Sequence, residues 1–149
     1  MFRNLFKLSA ILQLITAAFH ALSFFSESLA DNDTEKTLFD LMKNYQRDLG
    51  MGFKQSTDDL FLSMSICFTL LCLFAGLVNL FLLKKTEDKI LLGGLLNINI
   101  LIFGSLFFAM AFLTFLPPII CTALIFLGLI AAKFYLNKSG RLDTVNNPR

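Results

Sequence analysis

The sequence predicts an all-α protein, a four-helix transmembrane bundle with one amphipathic helix in the extracytoplasmic loop. Three observations carry this. The chain has 149 residues, of which 56% are hydrophobic and only 16% charged, whereas soluble domains average about 25% charged. A chain this small cannot hide so much apolar surface in a core of its own, so lipid must solvate much of it. The apolar residues also fall into long runs separated by short polar or proline-containing breaks. Within these runs, small and polar residues recur at helical spacing on a background of Leu, Phe, Ile and Val. A soluble amphipathic helix shows the opposite contrast, an apolar stripe on a polar background.

The first span, 8–25, follows Arg3 and Lys7 and is near the lower length limit for crossing a bilayer. Its Ser9, Gln13, Thr16, His20 and Ser23 step by four, three, four and three, which places them on one helix face. A basic start, with Ser28-Leu29-Ala30 before Asp31, also fits a signal peptide cut after Ala30, which would leave three spans. Gln13, Thr16 and His20 are costly inside the apolar segment of a signal peptide, so a retained helix is expected.

The loop 26–59 is acidic. Glu27, Asp31, Asp33, Glu35, Asp40, Asp48, Asp58 and Asp59 outnumber Lys36, Lys43, Arg47 and Lys54. Within it, 34–49 reads as an amphipathic helix. Leu38, Leu41, Met42, Tyr45 and Leu49 share one side, Asn32 or Asp33 caps the start, and Gly50 and Gly52 end it. That side would rest on the bundle or the headgroups, or would act as a lid over a cavity between helices.

The second span, 60–83, is capped by Ser56 or Thr57. Asp58 and Asp59 stand in its first turn, where the helix dipole favours negative charge. Its Ser65, Thr69, Cys72, Gly76 and Asn79 repeat the spacing of the first seam. After the polar turn 84–89, the third span, 90–115, carries Gly93, Asn97, Gly104, Ala111 and Thr114. Small residues let helix backbones approach, and amides hydrogen-bond between helices. Leu116-Pro117-Pro118 forces a tight uncharged hairpin. The fourth span, 119–136, has small positions at Cys121, Gly128 and Ala132, and a loose polar tail follows at 137–149. All of this forms a single membrane domain.

Basic residues set the expected orientation. Arg3, Lys7, Lys84, Lys85, Lys89, Lys133, Lys138, Arg141 and Arg149 fall on one side, against the four of the long loop. This predicts a multi-pass protein of the cell inner (cytoplasmic) membrane, both termini cytoplasmic and the acidic loop outside.

Depth along the spans groups the polar residues into two layers. The outer layer, a candidate ligand pocket, comprises His20, Ser23, Asp58, Asp59 and Ser65. Helix capping also accounts for the two acids, and interhelical hydrogen bonding for the histidine. The inner layer comprises Gln13, Asn79 and Asn97, which with Thr16 and Thr69 are expected to make interhelical polar contacts. No metal site is expected, since His20 has no second His and no Cys at its depth. Cys67, Cys72 and Cys121 lie in apolar runs and read as small hydrophobic residues. There is no GxSxG, HExxH, P-loop or GxGxxG, so no catalytic residue and no cofactor is assigned. A net charge of +2 argues against a nucleic-acid partner.

At Leu41-Met42-Lys43-Asn44-Tyr45, Gly50-Met51-Gly52, Ser56-Thr57-Asp58-Asp59-Leu60 and Ser63-Met64-Ser65, the chain resembles a group of small bacterial four-span membrane proteins without an established function. In general shape it is also similar to DoxX-like and sterol-isomerase-type four-span proteins. It lacks the dense acidic and histidine content expected of an intramembrane isomerase. Two functions follow as expectations. The first is a non-enzymatic accessory subunit or binding module whose partners are membrane lipid and another membrane protein or itself. The second is an enzyme or carrier for a quinone, isoprenoid or sterol-like ligand, using His20 with Asp58 or Asp59.

Overall fold

The computed structural model describes residues 1–25 and 29–146, with side chains as far as Ser139. Glu27 of the acidic loop and Ser28 of the cleavage-like stretch lie outside the described residues. The helices are α1 (Phe2–Leu22, followed by a 3-10 turn at Ser23–Phe25), α2 (Asp33–Asn44), α3 (Thr57–Lys85), α4 (Lys89–Leu113) and α5 (Leu116–Asn146). Strands β1 (Gln46–Asp48) and β2 (Lys54–Ser56) lie between α2 and α3. Among the described residues, four helices are long and apolar enough to cross a membrane.

Several boundaries differ from expectation. The first helix begins at Phe2 rather than near residue 8, taking Arg3 and Lys7 into its opening turns. The last continues to Asn146 instead of giving way to a loose tail at 137. The segment after Leu136 contains Lys, Arg and Leu, all good helix formers, and the first proline comes only at Pro148. The loop helix stops at Asn44, because 46–56 forms an antiparallel hairpin that pairs Gln46 with Ser56 and Asp48 with Lys54. The Gly50-Met51-Gly52 segment is therefore a hairpin turn rather than a helix stop. All three residues have positive φ (88°, 54° and 85°), a region that glycine enters without a steric penalty.

Contacts within the chain group into two compact units, Met1–Thr16 with Cys72–Arg149, and Ala17–Leu71. In the first, segments of α1 and α3 pack with α4 and α5 around Phe6, Leu92, Leu96, Phe103, Ile125 and Leu129, all fully or almost fully buried. Small residues set the spacing. A Cβ added at Gly76 of α3 would lie 2.9 Å from the Ala10 carbonyl oxygen and 2.6 Å from Leu14 Cδ2. One added at Gly128 of α5 would lie 2.5 Å from Ser9 Oγ. Such close backbone approach is how helices gain packing energy where lipid removes the hydrophobic drive. The Arg3 guanidinium donates to the carbonyl oxygens of Leu83 and, at 2.9 Å, Thr86. It thereby satisfies acceptors left open at the end of α3. Asp88 caps α4, accepting from the N–H groups of Ile90 (2.8 Å) and Leu91 (3.3 Å). Leu116-Pro117-Pro118, expected to form the hairpin itself, instead opens α5, with both prolines in its first turn, where a missing N–H costs nothing.

In the second unit, Asn32 caps α2, its side chain accepting from Glu35 N–H at 2.9 Å. Glu35 returns a bond to Asp31 N–H at 2.8 Å. α2 packs against β2, yet none of its residues is buried. Leu38, Leu41, Tyr45 and Leu49 of the expected apolar side are exposed. Only Met42 of that set is half-buried, with Phe39 beside it.

Candidate functional site

The most buried polar chemistry lies in the first unit. α1 brings Gln13, α3 brings Asn79 and α4 brings Asn99, each at most 5% exposed. Gln13 Nε2 donates to Asn99 Oδ1 at 3.1 Å. Asn79 Nδ2 donates to Gln13 Oε1 at 2.9 Å and to Asn99 Oδ1 at 2.8 Å. Asn99 Nδ2 donates to Asn79 Oδ1 at 3.0 Å and to the Leu95 carbonyl at 2.9 Å. The cluster is uncharged, and every amide in it both donates and accepts. It fixes three helices in rotation and register, since a slip of one residue would turn an amide about 100° away. It has neither a nucleophile nor a general acid or base.

Sequence reasoning placed Asn97 here, and the structure corrects it to Asn99. Two positions on an α-helix are about 200° apart, so one of the pair must face away. The small residues Gly93 and Gly104 drew the expected seam through Asn97. The buried face in fact passes through Leu92, Leu96, Asn99 and Phe103, an i, i+4, i+7, i+11 pattern that was available to reading. Asn97 is exposed. Thr16 is buried but makes no hydrogen bond in the cluster. Thr69 donates within its own helix to the Ser65 carbonyl at 3.0 Å.

The expected outer layer lies in the second unit. Ser23, Asp58, Asp59 and Ser65 line one shallow recess of about 400 Å³, with Phe24, Phe61 and Leu62. Asp59 is already engaged there. Its Oδ2 accepts from Ser56 Oγ (2.7 Å) and Ser56 N–H (3.1 Å), and Asp59 N–H donates to Ser56 Oγ (3.1 Å). This is a reciprocal capping box with aspartate at its third position, and it makes Ser56 the cap of α3. Ser23 Oγ donates to the His20 carbonyl at 2.6 Å. His20 does not line the recess. Its ring stands edge-on to Phe68 (centroids 4.8 Å apart, 82°) and to Phe24 (5.9 Å, 76°).

A recess of about 490 Å³ in the first unit is lined by Phe2, Arg3, Asn4, Tyr135, Lys138 and Ser139, with Met1. Among the described residues, no cluster of His, Cys, Asp and Glu could hold a metal ion. Cys67, Cys72 and Cys121 are free thiols. Comparison with known protein families, curated proteins and solved structures yields no match.

Proposed function

We propose that this is a non-enzymatic integral membrane protein, an accessory subunit or small binding module held together by small and polar helix contacts. It sits in the cell inner membrane with both termini cytoplasmic. The acidic segment 26–59, with α2 lying at the headgroups, meets a partner or the lipid surface outside. One observation carries the reading. Among the described residues, every buried side-chain nitrogen and oxygen has a hydrogen-bond partner within the protein. The buried amides are thus occupied with one another, and a substrate would have to break that network to use them. The test is co-purification from mild detergent, comparing wild type with a variant in which Asp31, Asp33 and Asp40 become Asn. A defined partner or anchored lipid lost in the variant supports the reading. A wild-type monomer that brings down neither contradicts it.

A second reading draws on the recess that gathers Ser23, Asp58 and Ser65. It is an enzyme or carrier for a quinone, isoprenoid or sterol-like molecule, with His20 reached by local rearrangement. Under it, His20→Ala abolishes retention of a bound apolar molecule, detected by mass spectrometry, while the fold survives. Unchanged retention sinks it.

A further inference from the structure

Asn97 is the amide left over when Asn99 enters the cluster. It lies on α4 about 12 Å from the Lys89 end of a helix roughly 37 Å long, and so well inside the hydrocarbon if α4 spans a bilayer. Its side chain is exposed and has no hydrogen-bond partner among the described residues. Its neighbours on that side are exposed too. Gly94, Asn97, Leu101 and Ser105 fall within about 80° of one another around the helix. A Cβ added at Gly94 would meet nothing within 4 Å, and Leu101 is 71% exposed. Lipid tails offer no hydrogen bond, so amides inside membranes face a partner.

We propose that this face of α4 is a self-association surface, and that its occupant is α4 of a second copy of the chain, with the two Asn97 side chains hydrogen-bonded to each other. The inference deepens the membrane reading above and rests on it. Complementarity selects the partner. Copies inserted with the same orientation are related by a two-fold axis along the membrane normal, which brings each residue against its own counterpart at equal depth. A carboxamide suits that geometry because it carries a donor and an acceptor, so each Asn97 oxygen accepts from the other Asn97 nitrogen. A lysine or an aspartate at the position would repel its own copy. Gly94, one turn before Asn97, is small enough to let the two backbones approach there, while Leu101 of each copy packs further along the face.

The experiment measures dimerisation by energy transfer between donor- and acceptor-labelled full-length chains in lipid vesicles, diluted with lipid. Wild type, Asn97→Leu and Asn97→Gln are compared, each first checked for co-flotation with the vesicles and for wild-type helical content. The expected result is a dimer for wild type and for Asn97→Gln, with Asn97→Leu weakened roughly 5- to 30-fold, the worth of an interhelical hydrogen bond in model helices. Because Asn97 is exposed within the chain, Asn97→Leu should fold as wild type does. A monomeric wild type overturns the proposal, as does an Asn97→Leu dimer of undiminished affinity. Failure of the wild type to float with vesicles would instead overturn the membrane reading beneath it.

Discussion

Asn97 and Asn99 differ in nothing but their angle around α4, and that angle separates their roles. Replacing Asn99 by Leu leaves the partners on Gln13 and Asn79 short of a donor and an acceptor inside the first unit. Stranding buried amides should cost about 2 kcal/mol, measured by unfolding in mixed micelles. A loss below about 0.5 kcal/mol would mean that the cluster is not holding the helices. Gly76 makes a parallel case without polarity. Gly76→Ala drives a methyl group against the backbone of Ala10, which no side-chain rotation relieves. His20 shows the opposite outcome, a residue with functional chemistry whose ring packs among phenylalanines.

The N-termini of α2, α3 and α4 are built by recognisable caps, and these devices were unevenly legible. The N-terminus of α3 could be read because Ser, Thr, Asp and Asp crowd ahead of an apolar run, though Ser56 and Thr57 could not be separated by type alone. Only the capping box with Asp59 separates them. Ser56→Ala should lower stability by about 1 kcal/mol, seen as a shift in thermal unfolding. Thr57→Ala, whose hydroxyl accepts only a 3.4 Å bond from Arg47, should change it far less. An equal effect of the two would reassign the cap. The hairpin at 46–56 was not legible, since three-residue strands of polar residues carry no alternating pattern. Its turn was in view as Gly-Met-Gly, but the preceding apolar positions at helical spacing claimed that stretch for a helix. The buried face of α4 was missed for a related reason. Gly93 and Gly104 do lie on the buried face, but they drew the seam toward Asn97 at its edge, while the helical spacing of Leu92, Leu96, Asn99 and Phe103 went unused.

Across the whole chain, four apolar helices and the grouping of basic residues lead to one threading. In the threading we propose, the acidic segment faces one side of the membrane, and the turn 84–89 with the basic termini faces the other. The proposed association face of α4 requires that the helices sit in lipid, and the proposed role of the acidic segment requires that it face outward. The decisive test is labelling of single cysteines with a membrane-impermeant thiol reagent in a background where Cys67, Cys72 and Cys121 are Ser or Ala. Met51→Cys, at a turn position 99% exposed, reports the acidic segment, and Lys85→Cys reports the turn after α3. Met51→Cys should be labelled in intact cells and Lys85→Cys only after the membrane is opened. Labelling of both from the same side, or of Met51→Cys only after opening, would contradict the threading.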